Sequence, residues 1–128
     1  MKTKATKPTI LLVDDDPGVF DIVSQGLKGE FYILSASDGV EALEVLSNVL
    51  PSLIIIDILM PNINGFELAK KIKADKTLAT VPFIFLSSVT RTQDVHAALS
   101  LGPMEFINKP VDTSRLEKTI RELMFLGV

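Results

Sequence analysis

Five short runs of aliphatic and β-branched residues recur along the chain, each closed by a polar residue or a turn signal. They span Thr9–Asp14, Tyr32–Ala36, Leu53–Asp57, Pro82–Leu86 and Glu105–Asn108. Within ILLV, LIII and FIFL the residues are apolar throughout instead of alternating, the pattern of a strand covered on both faces. Between the runs the apolar positions switch to i, i+3, i+4 spacing, the period of an amphipathic helix. This predicts helices over Pro17–Lys28 (Phe20, Val23 and Leu27 on one face) and Gly39–Asn48 (Ala42, Leu43, Leu46). Three more are predicted over Phe66–Ala74 (Leu68, Ala69, Ile72), Arg91–Leu101 (Val95, Ala98, Leu99) and Asp112–Leu126 (Leu116, Ile120, Leu123, Met124).

The boundaries carry their own chemistry. Asp16-Pro17 reads as an N-cap followed by proline at the first helical position. Asp112-Thr-Ser-Arg opens the last helix with another cap, and Gly29, Gly65 and Gly102 mark places where helices begin or stop. Strands that alternate with helices of ten or so residues are βαβ units with right-handed crossovers. Five of each in 128 residues predict an α/β fold: a doubly wound five-stranded parallel sheet, flavodoxin-like, in the order 2-1-3-4-5.

Composition narrows the function classes. The length suits one domain that buries roughly two-thirds of its unfolded surface. A net charge of −3 offers no basic footprint for direct nucleic-acid binding. Cysteine is absent, which excludes a disulfide framework, a thiolate metal site and a thiol nucleophile. The apolar runs are far shorter than the roughly 20 residues of a membrane span, and TILLV is too short for a signal-peptide core. The expected organisation is a solvated basic leader over 1–7, a domain over 8–126, and a C-terminal end at 127–128, truncation there being an open option, in a soluble cytoplasmic protein.

Asp14 and Asp15 follow ILLV, Asp57 closes LIII, and Lys109 follows EFIN. In a parallel α/β sheet the carboxyl ends of the strands line up along one edge, where ligands bind. Three carboxylates and an ammonium would therefore meet in one small pocket. Such a cluster is costly without a counter-ion, so it predicts a divalent cation and chemistry on an anion.

VDDDP, DILMPNINGFEL, FLSS and FINKP together resemble the receiver domain of bacterial two-component response regulators, over about Pro8 to Leu126. The resemblance implies that Asp57 is a phosphoacceptor forming an acyl phosphate. It also implies that Asp14, Asp15, Asp57 and the backbone carbonyl of Leu59 hold Mg²⁺, with Mn²⁺ as an alternative and Asp14 acting through water. Lys109 would pair with Asp57 or a phosphoryl oxygen, and the bond to Pro110 would be cis, as receivers commonly have it. Ser87 would donate to the phosphoryl group as a switch hydroxyl, and Phe106 would be the switch aromatic, its alternative being a plain core residue. The implied partners are a sensor histidine kinase or histidine phosphotransfer protein and an output domain or effector, with homodimerisation on activation an option. No direct nucleic-acid contact, no membrane contact and no catalysis beyond the domain's own phosphorylation and dephosphorylation are expected.

Asp16 is better explained as a cap than as a ligand, and His96, in TQDVHAAL, as an exposed helix residue. Four positions depart from, or vary within, the family pattern. Phe106 lacks a phenolic hydroxyl, Ser88 stands where alanine is frequent, and Pro103 stiffens the approach to the fifth strand. The bulky Leu59 would obstruct attacking water and lengthen the phosphorylated lifetime. Three other readings compete. A dehalogenase-like phosphatase would use Asp14 and Asp16, but a cap domain and a late acidic pair are missing. A flavin module needs a phosphate-cradling loop where this chain has DDDPG. A pseudo-receiver would bind partners without phosphorylation.

Overall fold

A computed structural model of the chain describes residues 7–27, 29–60, 62–88 and 91–125. Its elements alternate strictly: β1 Thr9–Val13, α1 Pro17–Gly26, β2 Tyr32–Ala36, α2 Gly39–Leu46, β3 Leu53–Asp57, α3 Gly65–Ala74, β4 Phe83–Ser87, α4 Thr92–Ser100, β5 Glu105–Asn108 and α5 Thr113–Phe125. The strands form one parallel sheet in the order β2-β1-β3-β4-β5, as the pattern predicts.

Alternation along each strand sends successive side chains to opposite faces, so the uniformly apolar runs build two cores. Leu11, Val13, Ile54, Ile56, Phe83 and Phe85 pack on one face with residues of α2, α3 and α4. Ile10, Leu12, Leu53, Ile55, Ile84 and Leu86 pack on the other with α1 and α5. Ile54, Ile55, Ile56, Phe85 and Leu86 are fully buried, and each such side chain contributes roughly 1.5–3 kcal/mol of transfer free energy. The Phe85 ring meets Phe83 at 5.2 Å and Phe66 of α3 at 6.0 Å, both edge to face.

The helix starts follow local chemistry. Asp16 accepts from the Gly18 amide at 2.9 Å, as expected of a cap. Asp38 accepts from Glu41, and Asn64 and Glu67 form a reciprocal capping box at α3. Asp112 Oδ1 accepts from Arg115 N at 3.2 Å. Gly29 and Gly102 take positive φ, +87° and +78°.

Several boundaries correct the sequence reading. Asp14 lies beyond β1, and β4 runs one residue later than expected, so that Ser87 is its last member. α1 stops at Gly26, where the Leu27 amide closes the helix on Val23; its expected end, Lys28, lies outside the described residues. α2 ends two residues early and α4 is trimmed at both ends. α3 begins at Gly65 instead of Phe66, because the cap is Asn64. α5 begins after its cap, and its expected last residue, Leu126, lies outside the described residues. A short 3-10 turn, Leu78–Thr80, has no counterpart in the periodicity reading; three residues are too few to carry a period.

Candidate phosphoacceptor and metal site

Register brings the site together. Val13 pairs with Ile56, Asp57 with Leu86, and Ser87 with Asn108. The residues at and just after these positions, Asp14, Asp57, Ser87 and Lys109, therefore fall along one edge of the sheet. Carboxylate oxygens of Asp14, Asp15 and Asp57 all lie within 4.8 Å of one another. Asp57 is 3% exposed and Asp14 8%, while Asp15 is open to solvent.

Lys109 Nζ lies 2.9 Å from Asp14 Oδ2 and 3.4 Å from Asp57 Oδ2. The lysine thus bridges both buried carboxylates, the nearer being Asp14, a pairing that strand ends alone do not reveal. The bond from Lys109 to Pro110 is cis, and the Lys109 amide donates to the Ser87 carbonyl at 2.9 Å. Asp57 Oδ1 accepts from the Leu59 amide at 3.3 Å, and Asp14 Oδ1 from the Asp16 amide at 2.9 Å.

Burial, and secondly the charge of Asp14, push the Asp57 carboxyl up to about 6 against the opposing pull of Lys109 and the Leu59 amide. Burial alone would push Lys109 down, but the two carboxylates beside it outweigh that and raise its proton affinity. A single ammonium does not neutralise the cluster. Apart from that ion pair, the buried Asp14 Oδ2 accepts no hydrogen bond from the described residues. Three hard oxygen donors, one with lone pairs to spare, fit an oxygen-preferring divalent cation.

Ser87 is fully buried at the end of β4. Phe106 is half-buried, pairs in register with Phe85 and packs on the α2–α4 side of the core. Leu59 projects its side chain outward, 56% exposed, on the wall of a shallow cavity shared with Asp15, Met60, Asn64 and Phe66. His96 is exposed on α4, as expected. Asp16 lines an adjoining acidic depression with Asp14 and Asp15, but its carboxylate is engaged as the α1 cap.

One contributor escaped the sequence reading, which took Gly65 only as helix punctuation. A Cβ on Gly65 would sit 2.5 Å from the Asp57 carbonyl oxygen and 2.6 Å from Ile58 Cα. Its amide donates to the Ile58 carbonyl at 2.9 Å. The start of α3 is therefore pressed against the backbone that carries Asp57. The Asn-Gly pair before an apolar run was the available signal.

Comparison with known proteins agrees with this geometry. The family model for the response regulator receiver domain matches residues 10–121. The response regulator Rre1 of Synechocystis is 35% identical over 118 residues, which make up 91% of this chain and 51% of that protein. A probable cyclic di-GMP phosphodiesterase of Vibrio cholerae is 34% identical across 88% of the chain and 25% of its own length. The signal receiver domain of a histidine kinase from Syntrophus aciditrophicus superposes with a TM-score of 0.86 at 30% identity, covering 94% of this chain and 92% of that one. The chain spans about half the length of Rre1 and a quarter of that of the phosphodiesterase. The match decides against the dehalogenase-like and flavin readings. With its 2-1-3-4-5 sheet and its acidic pocket at the strand ends, the chain belongs to the response-regulator receiver family and is a phosphoacceptor switch domain of two-component signalling.

Proposed function

We propose that Asp57 is the phosphoacceptor and that its donor is a phosphohistidine on a sensor histidine kinase or a histidine phosphotransfer protein. The observation that carries this reading is the convergence of Asp14, Asp15, Asp57 and Lys109 at one sheet edge, with Asp57 buried among like charges. In the transfer an Asp57 carboxylate oxygen forms a bond to phosphorus while the N–P bond to imidazole breaks and its electron pair returns to the ring. Lys109, already 3.4 Å from Asp57 Oδ2, exchanges that contact for a phosphoryl oxygen. The Leu59 amide holds Oδ1 and so orients the attacking carboxylate. Asp14, Asp15, Asp57 and the Leu59 carbonyl would hold Mg²⁺, or Mn²⁺ in its place, which when bound neutralises charge on the transferring group.

Once phosphorylated, the site asks for a donor where negative charge has appeared. Ser87, at the end of the strand beside Asp57, supplies the hydroxyl. Phe106, on the neighbouring strand, repacks with it, which changes the surface presented by β5 and the last two helices. This is a population shift driven by local charge. That surface would be read by an output domain or a separate effector, or by a second copy. Residues 8–126 form the proposed switch unit. No helix among the described residues is long and apolar enough to cross a membrane, and the proposed setting is cytoplasmic.

The test is exposure to acetyl phosphate or beryllofluoride with Mg²⁺, for the parent and for Asp57→Asn. The parent alone should respond. Equal responses from both proteins would remove Asp57 from the role.

A further inference from the structure

At the edge of the sheet opposite the acidic pocket, a cavity of about 320 Å³ opens between the C-terminal end of α3, the 3-10 turn and the loop leading into β5. Ile72, Phe83, Met104 and Leu123 wall it, and Lys73 is the only charged residue of its lining. Met104 is 46% exposed. The Lys73 ammonium rests against Gly102, where an added Cβ would come within 3.2 Å of Nζ. Lys70, one turn before Lys73, shares its side of the helix, and Lys71 and Lys76 flank the pair; all four are exposed.

None of these lysines has an ion-pair partner among the described residues. The carboxylates that their spacing offers are engaged elsewhere. Glu67, at i−3 and i−4 from Lys70 and Lys71, accepts from the Asn64 amide in the capping box. Asp75 accepts from the Thr77 and Leu78 amides. The helix dipole favours cations at a C-terminal end, but it gives no reason for an open apolar cavity beneath them. On a chain of net charge −3, the stretch from Glu67 to Lys76 carries four lysines against two acids, a local inversion of sign beside a mostly apolar hollow that Lys73 lines.

We propose that this edge is a docking surface for an acidic peptide segment with one apolar anchor, the anchor filling the cavity and flanking carboxylates pairing with Lys70 and Lys73. Charge complementarity selects an anionic partner, and the cavity selects a side chain over a phosphate backbone or a lipid surface. A net charge of −3 disfavours an acidic partner over much of the surface, so a cationic patch would direct where it docks.

The test uses the full chain and fluorescein-labelled synthetic peptides of alternating Glu and Asp around a central Leu-Phe or Ser-Ser. The Leu-Phe peptide should bind saturably and more weakly as salt rises. The Ser-Ser peptide should bind about tenfold or more weakly, as should the Leu-Phe peptide to the Lys70→Glu/Lys73→Glu variant. Amide shifts on binding should centre on Ile72 and Met104. These surface substitutions should leave acetyl-phosphate labelling unchanged, which separates this surface from the phosphoacceptor reading. Absence of saturable binding, or binding indifferent to the anchor or to the two lysines, would overturn the proposal. So would binding of a single-stranded oligonucleotide or anionic vesicles, with that lysine dependence, where the peptide does not bind.

Discussion

Removing the Asp57 charge should stabilise the protein when divalent cations are chelated. The folded state holds this carboxyl at about 6, against an ordinary value of 3.8, chiefly because it is buried and secondly because Asp14 is near. A tenfold change in proton affinity corresponds to about 1.4 kcal/mol, so ionised Asp57 costs the fold on the order of 3 kcal/mol at neutral pH. Asn fills the same volume without the charge. That figure is already net of the pull of Lys109, which keeps Asp14 at 2.9 Å in the variant; part of the gain is lost because the buried Asn amide must find hydrogen-bond partners of its own. The net expectation for Asp57→Asn is a stabilisation of about 1–2 kcal/mol in urea melts with EDTA, or several degrees in Tm.

The sign with pH follows from the raised proton affinity. Between about pH 4 and pH 6 the folded parent binds more protons at this site than the unfolded chain, so its stability falls as pH rises through that window. The gap between variant and parent should therefore be small near pH 4 and fully open by about pH 7. Saturating Mg²⁺ should raise the parent's stability by mass action and shrink the gap. A variant less stable than the parent at neutral pH in EDTA, or a gap that ignores pH, would refute the reasoning.

Four further substitutions probe other parts of the account. Gly65→Ala forces a methyl into the Asp57 and Ile58 backbone; it should lose about 1–3 kcal/mol and lower phosphorylation yield. Gly29→Ala, with nothing within 4 Å and only its φ of +87° to strain it, should leave phosphorylation intact. Asp16→Ala should lose about 0.5–2 kcal/mol through the α1 cap, with Mg²⁺ stabilisation unchanged by titration; a large loss of Mg²⁺ response would make Asp16 a ligand. Leu59→Asn should speed decay of the acyl phosphate followed by phosphate release, and an unchanged half-life would clear the exposed leucine of any shielding role.

The sheet was legible because its three central strands are buried on both faces, which leaves LIII and FIFL no alternative to a central position. Asp57, Asp14 and Lys109 were legible for a related reason: parallel strands end on one edge, so residues that close apolar runs converge whatever their distance in sequence. What stayed hidden depends on three-dimensional approach. The lysine's preference for Asp14 is set by the path of the chain after β5, and the tight contact of Gly65 by the docking angle of α3. Helix ends shifted by a residue or two because caps fix them: Asn64, which periodicity does not see, starts α3 at Gly65, and Asp112, legible as a cap, lies just outside the helix it opens. The lysines of α3 carried no apolar signal of their own, so only the cavity beside them gives their lack of partners a meaning.

The central claim, that the buried aspartate at the end of β3 takes the phosphoryl group, is tested most directly by locating the acyl phosphate itself. The protein is incubated with acetyl phosphate and Mg²⁺, reduced with borohydride to convert an aspartyl phosphate to homoserine, and digested for peptide mass mapping. The account predicts conversion confined to Asp57 and abolished by EDTA. Conversion at Asp14, Asp15 or another carboxylate with Asp57 left intact would contradict it.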